Sequence, residues 1–342
     1  MKLNQKDLLS AVVVATGLAC SAAIAAPVYR VDLSANSGTR NSSGPSFRDS
    51  RTSALESVWL SGGSDVAEII TGVRPVYSIG NSLVVGSAGP GLMSLLARAG
   101  ASTDAVQRPS SGSSSANASG FLHDAFAILC PTCTNGSRGK MTFAISLDGY
   151  VDGAGRRVSD GPGGGYSYNS NWSTTFGLTS GFGNAGGNAG GTYRGNQDGF
   201  TETTTGLGTG VHTFTLDFAF GQPIDLQWQS NISASGSATS SGNEPHFMAE
   251  VETVADFAST FAWAGILSVL DQSGAPVSAF TALNELGVNY ANSFVSAVPE
   301  PGVAVLLIPA VLMLGLNVRG SRRDRTAGTA RNTHRLAGAF AA

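Results

Sequence analysis

"HTFTLDFAFGQPIDLQWQSNIS", His212–Ser233, contains two runs in which every second residue is apolar: Phe214, Leu216, Phe218 and Phe220, then Ile224, Leu226 and Trp228. A period of two places alternate side chains on opposite faces of an extended chain. Each run therefore predicts a strand with one face on a core and one in water. Gly221–Pro223 reads as the turn between them. Upstream, "KMTFAISLDG" repeats the pattern with Met141, Phe143, Ile145 and Leu147. Downstream, "FASTFAW" and "GILSVLDQSGAPVSAF" add short strands around a Ser273–Pro276 turn. Several short alternating strands with glycine-rich turns predict a mainly β fold, an antiparallel β-sandwich or jelly-roll-like domain.

Other stretches are less decided. Arg48–Gly72, with "SALESVWL" and "SDVAEIITG", fits a short helix or two more strands. "ARAGASTDAVQRPSSGSSSANASGFLHDAFAI" and "SNISASGSATSSGNEPHFMAEVETVADFASTFAW" echo each other, each passing from a strand through Ser, Ala and Gly into another strand. Small residues there suit an outward, solvated face. Glycine is densest over residues 152–210, around "GPGGGYSYNSNWSTTFGLTSGFGNAGGNAGGTYRGNQDGF". That composition predicts a long loop region, of the kind that is either functional or disordered. Tyr166, Tyr168, Trp172 and Tyr193 stand in it and have two readings: glycan contacts that stack on sugar rings, or anchors fixing the loop to the core. "GPGGG" lacks the Lys-Ser/Thr and following helix of a phosphate loop.

Few residues offer chemistry. Between residues 26 and 297 the histidines are His123, His212 and His246, with no HExxH and no GxSxG around any serine. Asp124 follows His123, so in a strand the two side chains point to opposite faces. Glu250 and Glu252 share one strand face, which reads as a solvated one. Asp148 and Asp152 lie near glycines without EF-hand spacing. No catalytic residue, metal ligand or cofactor is expected. Cys130 and Cys133 form a CxxC followed by "TNGSRGK", a turn and then a strand. A redox site needs a strand-to-helix junction, and a zinc site needs a second ligand pair. The favoured reading is a structural disulfide pinning a hairpin turn in an oxidising compartment.

Both ends speak of export. The first 25 residues have a basic start at Lys2 and Lys6, an apolar stretch from Leu8, and the small-x-small pattern of Ala23 and Ala25 for cleavage before Ala26. A lipobox at Cys20 competes, but "GLAC" lacks a leucine three places before the cysteine. Near the other end stands "VPEPGVAVLLIPAVLMLGLNVRGSRRDR", Val298–Arg325. Residues 302–318 carry no charge and as a helix would span about 25 Å, at the short edge for a bilayer core of about 30 Å. A buried core helix is the alternative. Arg319, Arg322, Arg323 and Arg325 follow at once, as the positive-inside rule expects of a cytoplasmic end.

A signal peptide at 1–25, then Val298-Pro299-Glu300-Pro301, a short apolar helix and an arginine cluster resemble the PEP-CTERM sorting signal. The resemblance covers about the last tenth of the chain and rests on three parts in order. It implies recognition and cleavage near Pro-Glu-Pro by an exosortase, an integral-membrane enzyme of Gram-negative bacteria that make exopolysaccharide. Signal peptidase is the other implied partner. The chain departs from the pattern by continuing over 326–342 with "TAGTARNTHRLAGAFAA". Apart from the resemblance, two prolines hold the chain extended outside the membrane, a form that a cleft engages by strand addition.

Charge divides along the same boundaries. Residues 26–297 hold twenty Asp and Glu against twelve Lys and Arg, a net of −8, whereas the tail from Arg319 carries +5. An acidic exported part argues against nucleic acid and anionic membrane surfaces as partners. The expected organisation is a signal peptide at 1–25, an exported β domain at 26–297, the sorting signal at 298–325 and a cytoplasmic extension at 326–342. The expected role is a structural or adhesive component of the envelope or exopolysaccharide matrix, held by the inner membrane before processing. A carbohydrate-binding module is the second expectation, and a polysaccharide-active enzyme the third.

Overall fold

The structure, a computed structural model, describes residues 26–295 apart from Leu55, Asp160 and Pro162. The expected signal peptide with Ala23 and Ala25, the Val298–Pro301 motif, the 302–318 helix, the arginines at 319, 322, 323 and 325, and the 326–342 extension lie outside the described residues. Among those that are described the fold is all-β, with no helix, in antiparallel sheets with a curled half-barrel form. The strands are β1 Val28–Thr39, β2 Phe47–Ser53, β3 Val58–Ile70, β4 Val76–Gly89, β5 Leu92–Ala105, β6 Ser110–Leu129, β7 Arg138–Leu147 and β8 Tyr150–Ser159. They continue with β9 Gly165–Ser180, β10 Gly183–Asn196, β11 Gly199–Gly206, β12 Gly210–Ala219, β13 Pro223–Ser240, β14 Phe247–Asp271 and β15 Thr281–Asn284. One sheet runs β11-β10-β9-β13-β6-β1-β2, with β15 also on β6. The second runs β12-β7-β14-β5-β4-β3, with β8 also on β14. The open stretch at Arg48–Gly72 resolves into strand, as β2 and β3.

The two runs of His212–Ser233 become β12 and β13, with alternating burial along both. They do not pair with each other. β12 lies on β7 in the second sheet and β13 lies between β6 and β9 in the first. The expected turn is therefore a crossing between sheets. Gly221 at φ 72° makes it, in a left-handed conformation that a side chain would strain. The Cys130–Cys133 segment does likewise: it joins β6 of the first sheet to β7 of the second, so it pins a crossing and not the expected hairpin turn.

Inward side chains of both sheets form one large core cluster and a smaller one around Tyr168 and Phe247, and the two ends of the domain differ. At the broad end aromatic rings fill the space: Phe126 stacks on Tyr290 at 4.9 Å and Phe143 on Trp263 at 5.1 Å. The segment after β14 closes this end, with the Trp263 indole N–H donating to the Tyr290 carbonyl at 2.7 Å. At the opposite end the inward residues are small, and the backbones nearly touch. A Cβ on Gly80 would lie 2.1 Å from the Ser113 carbonyl oxygen, and one on Gly112 would lie 2.3 Å from that of Ile79. Ser114 donates across the gap to the Gly100 carbonyl at 2.8 Å. Small residues therefore line the inner as well as the outer face of β6, which corrects the expectation of an outward, solvated set. The two echoing segments are β5–β6 and β13–β14, the crossings that close this narrow end.

The glycine-rich 152–210 region is not a loop; it is β8 to β11. Its glycines make room for rings on the neighbouring strand. In register, Gly187 faces Phe176, Gly191 faces Trp172 and Gly195 faces Tyr168. A Cβ on Gly191 would come within 2.5 Å of the Trp172 indole nitrogen, and one on Gly195 within 2.4 Å of the Tyr168 hydroxyl. Glycine weakens an isolated strand, but a ring lying across it restores the buried contact. Composition alone reported the missing side chains and not the rings that replace them.

Candidate functional site

The four aromatics proposed as glycan contacts face inward. Trp172 is buried and packs on Phe257 with ring centroids 4.8 Å apart. Tyr166 and Tyr168 lie over Gly155 and Gly153 of β8, where added Cβ atoms would meet the rings at 2.1 and 2.4 Å. Tyr193 stacks on Tyr168 at 5.7 Å and on Phe200 at 5.3 Å. Burial, reinforced by a hydrogen bond to Tyr193, pushes the Tyr168 phenol up to about 12. These rings anchor β9 and β10 onto the second sheet, which is the other of the two readings.

Cys130 and Cys133 are joined by a disulfide. Around it, the Gly136 N–H donates to the Phe220 carbonyl at 2.8 Å, and the Phe220 N–H to the Ser137 carbonyl at 3.0 Å. The β6–β7 and β12–β13 crossings thus hold each other.

Asp124 is buried against residues far away in sequence. Its Oδ2 accepts from the Tyr29 hydroxyl at 3.1 Å, the Asn284 amide at 2.9 Å and the Tyr290 hydroxyl, and its Oδ1 accepts from the Ala125 N–H at 2.7 Å. Burial first, then the Asp124 charge, then the hydrogen bond to it raise the phenols of Tyr29 and Tyr290 well above the usual tyrosine range. Buried, and with both carboxylate oxygens bonded, Asp124 makes the cluster a fastening for both ends of the domain. Of the histidines, His212 bonds the Gly208 carbonyl at 2.7 Å and His246 bonds Asp104 at 2.9 Å. Glu250 and Glu252 sit on the exposed face of β14. Among the described residues no group of three His, Cys, Asp or Glu could hold a metal ion.

The outer face of the first sheet is the feature that stands apart. Pairing aligns Ser34, Asn117, Ser233 and Asn171 across β1, β6, β13 and β9. The next row is Asn36, Ser115, Ser235 and Asn169; on the other side lies Asp32, Ser119, Asn231 and Ser173. Two adjoining hollows of about 790 and 830 Å³ lie over these rows, one toward β11 and one toward β2. The inner and outer faces use the same residue types differently. Inside, Ser37 bonds Ser64 at 2.8 Å, and Thr174 bonds Ser230 and the Trp228 indole, each at 2.7 Å. Outside, the side chains of Asn36, Ser119, Asn171, Asn231 and Ser233 bond no described residue. The sequence held a signal for this face in the recurring Asn-x-Ser spacings Asn117–Ser119, Asn171–Ser173 and Asn231–Ser233, which lie on the polar phase of their strands and carry no apolar period. Comparison of the chain with protein-family models, with curated proteins and with solved structures returned no match in any of the three.

Proposed function

We propose that the protein is exported, sorted by its C-terminal signal and used as a structural or adhesive component of the cell envelope or exopolysaccharide matrix. The finer architecture read here is a β-sandwich of jelly-roll kind, whose chain passes repeatedly from one sheet to the other. The observation that carries the role is the unequal use of hydroxyl and amide groups. Those inside are paired, while on the outer face Asn117, Ser235 and Ser237 are bonded within the sheet and Asn36, Ser119, Asn171, Asn231 and Ser233 are open to bond something else. The signal peptide and the Pro-Glu-Pro segment supply the route, and the disulfide suits an oxidising compartment. Fractionation of cells expressing a tagged chain is the test, with tags inserted at the β3–β4 turn. The protein should occur in the surface or matrix fraction, starting near Ala26, and its deletion should weaken matrix cohesion. Recovery from the cytoplasm alone, or an N-terminus at a lipidated Cys20, overturns the corresponding part of the reading.

A further inference from the structure

We propose that the outer face of the first sheet is a binding groove for an uncharged polysaccharide laid across the strands from β2 to β10. This rests on the matrix reading above and adds the site and the ligand class. Shape comes first. The two hollows meet between β13 and β9, where Ser235 and Asn169 line one and Ser233 and Asn171 the other. Six strands at about 4.8 Å spacing give a trough of roughly 24 Å, long enough for several sugar rings.

The lining sets the chemistry. A serine hydroxyl both donates and accepts, and an asparagine amide offers one group of each kind. A hydroxyl-rich chain matches such rows in more than one register, whereas an apolar peptide would leave them unpaired. Charge stands at the margins and in one internal pair, Arg30 with Asp32. Arg48 and Asp49 stand at the β2 side, Arg194 and Asp198 at the β10 side, so each end is balanced. Within the three rows only Asp32 is charged, and Arg30 and Ser50 already occupy it. The net −8 of residues 26–297 repels acidic polymers. Each neutral hydrogen bond is weak in water, so a polymer spanning several rows binds far better than a free sugar.

Affinity electrophoresis tests this with the full chain purified in detergent, run through native gels containing hydroxyethyl cellulose, galactomannan or alginate. At least one neutral polymer should retard the protein and alginate should not. Asn171→Arg with Ser233→Arg should abolish the retardation by filling the trough. Asn231→Ala with Asn171→Ala should weaken it about tenfold, two neutral hydrogen bonds at their usual net value, and decides the matter if the arginine pair misfolds. Ser61→Arg, on the exposed face of β3 in the other sheet, should bind as the parent does. Retardation by neither neutral polymer, equal retardation by alginate, or an equal loss from Ser61→Arg overturns the groove. None of these results moves the protein out of the matrix fraction, so the broader reading stands or falls on fractionation.

Discussion

At the scale of single residues, two glycines give opposite expectations from one composition. Gly80→Ala sets a Cβ 2.1 Å from the Ser113 carbonyl and 3.1 Å from Gly38 backbone atoms, with no flexible side chain to give way. The two sheets must separate, at a cost of about 1–3 kcal/mol. Gly177→Ala meets nothing within 4 Å and should leave the urea midpoint within error of the parent. Equal midpoints for the two variants would contradict the close approach of the sheets. Asp124→Ala strands two phenols and an amide in the core, so a loss of about 2–4 kcal/mol is expected in the same measurement. The two phenols also fix a pH dependence. Tyr29 and Tyr290 keep their protons in the folded state well above 10.0, where the unfolded chain loses them. Their contribution is complete below about pH 10 and declines as pH rises beyond it. Denaturation between pH 8 and 11.5 should show that fall, and Tyr29→Phe with Tyr290→Phe should flatten it. None of this cluster was legible in the sequence: His123-Asp124 announced only opposite faces, while the partners stand 95, 160 and 166 residues away.

At the scale of elements, period-two runs were legible wherever large apolar residues marked the inner face, as in β7, β12 and β13. They failed in β9 and β10, where the inner face alternates rings on one strand with glycines on the next. Each strand alone lacks half of its pattern, and only pairing restores it. The sequence also could not say which sheet a strand would join, because a turn back and a crossing use the same Gly-Gln-Pro chemistry. That difference bears on the disulfide. Cys130 and Cys133 enclose two residues, so the gain from a shortened unfolded chain should fall below about 3 kcal/mol. The Cys130→Ser, Cys133→Ser protein should lose that much in urea denaturation and still be secreted, because the hydrogen bonds between the two crossings remain. Free thiols in the secreted, unreduced protein would defeat the pairing.

At the scale of the whole molecule, the β class was legible from alternation. The candidate surface was not, because its rows of Ser and Asn come from four strands far apart in sequence and form only on pairing. The sorting motif is tested apart from the fold. Changing Pro299, Glu300 and Pro301 to alanine leaves the 302–318 run intact, so retention in the membrane cannot come from altered hydrophobicity. If an exosortase reads the triplet, the variant stays uncleaved and membrane-held; release as efficient as the parent's reduces the triplet to a stiff linker. The Asp124 fastening has a mechanical meaning as well. Tension applied beyond Val295 reaches the long strands first through the contacts that Phe294, Ala291 and Tyr290 make with β14, and then through those of Tyr290, Asn284 and β15 with β6. Those contacts are fewer than the bonds along the β6–β13 and β13–β9 ladders, so they are expected to yield before the sheets shear. Their release would pay out residues 281–295, about 50 Å of extended chain, while the sheet that carries the trough keeps its shape. A domain tethered at that end and gripping a polymer across its face would lengthen under load before it let go.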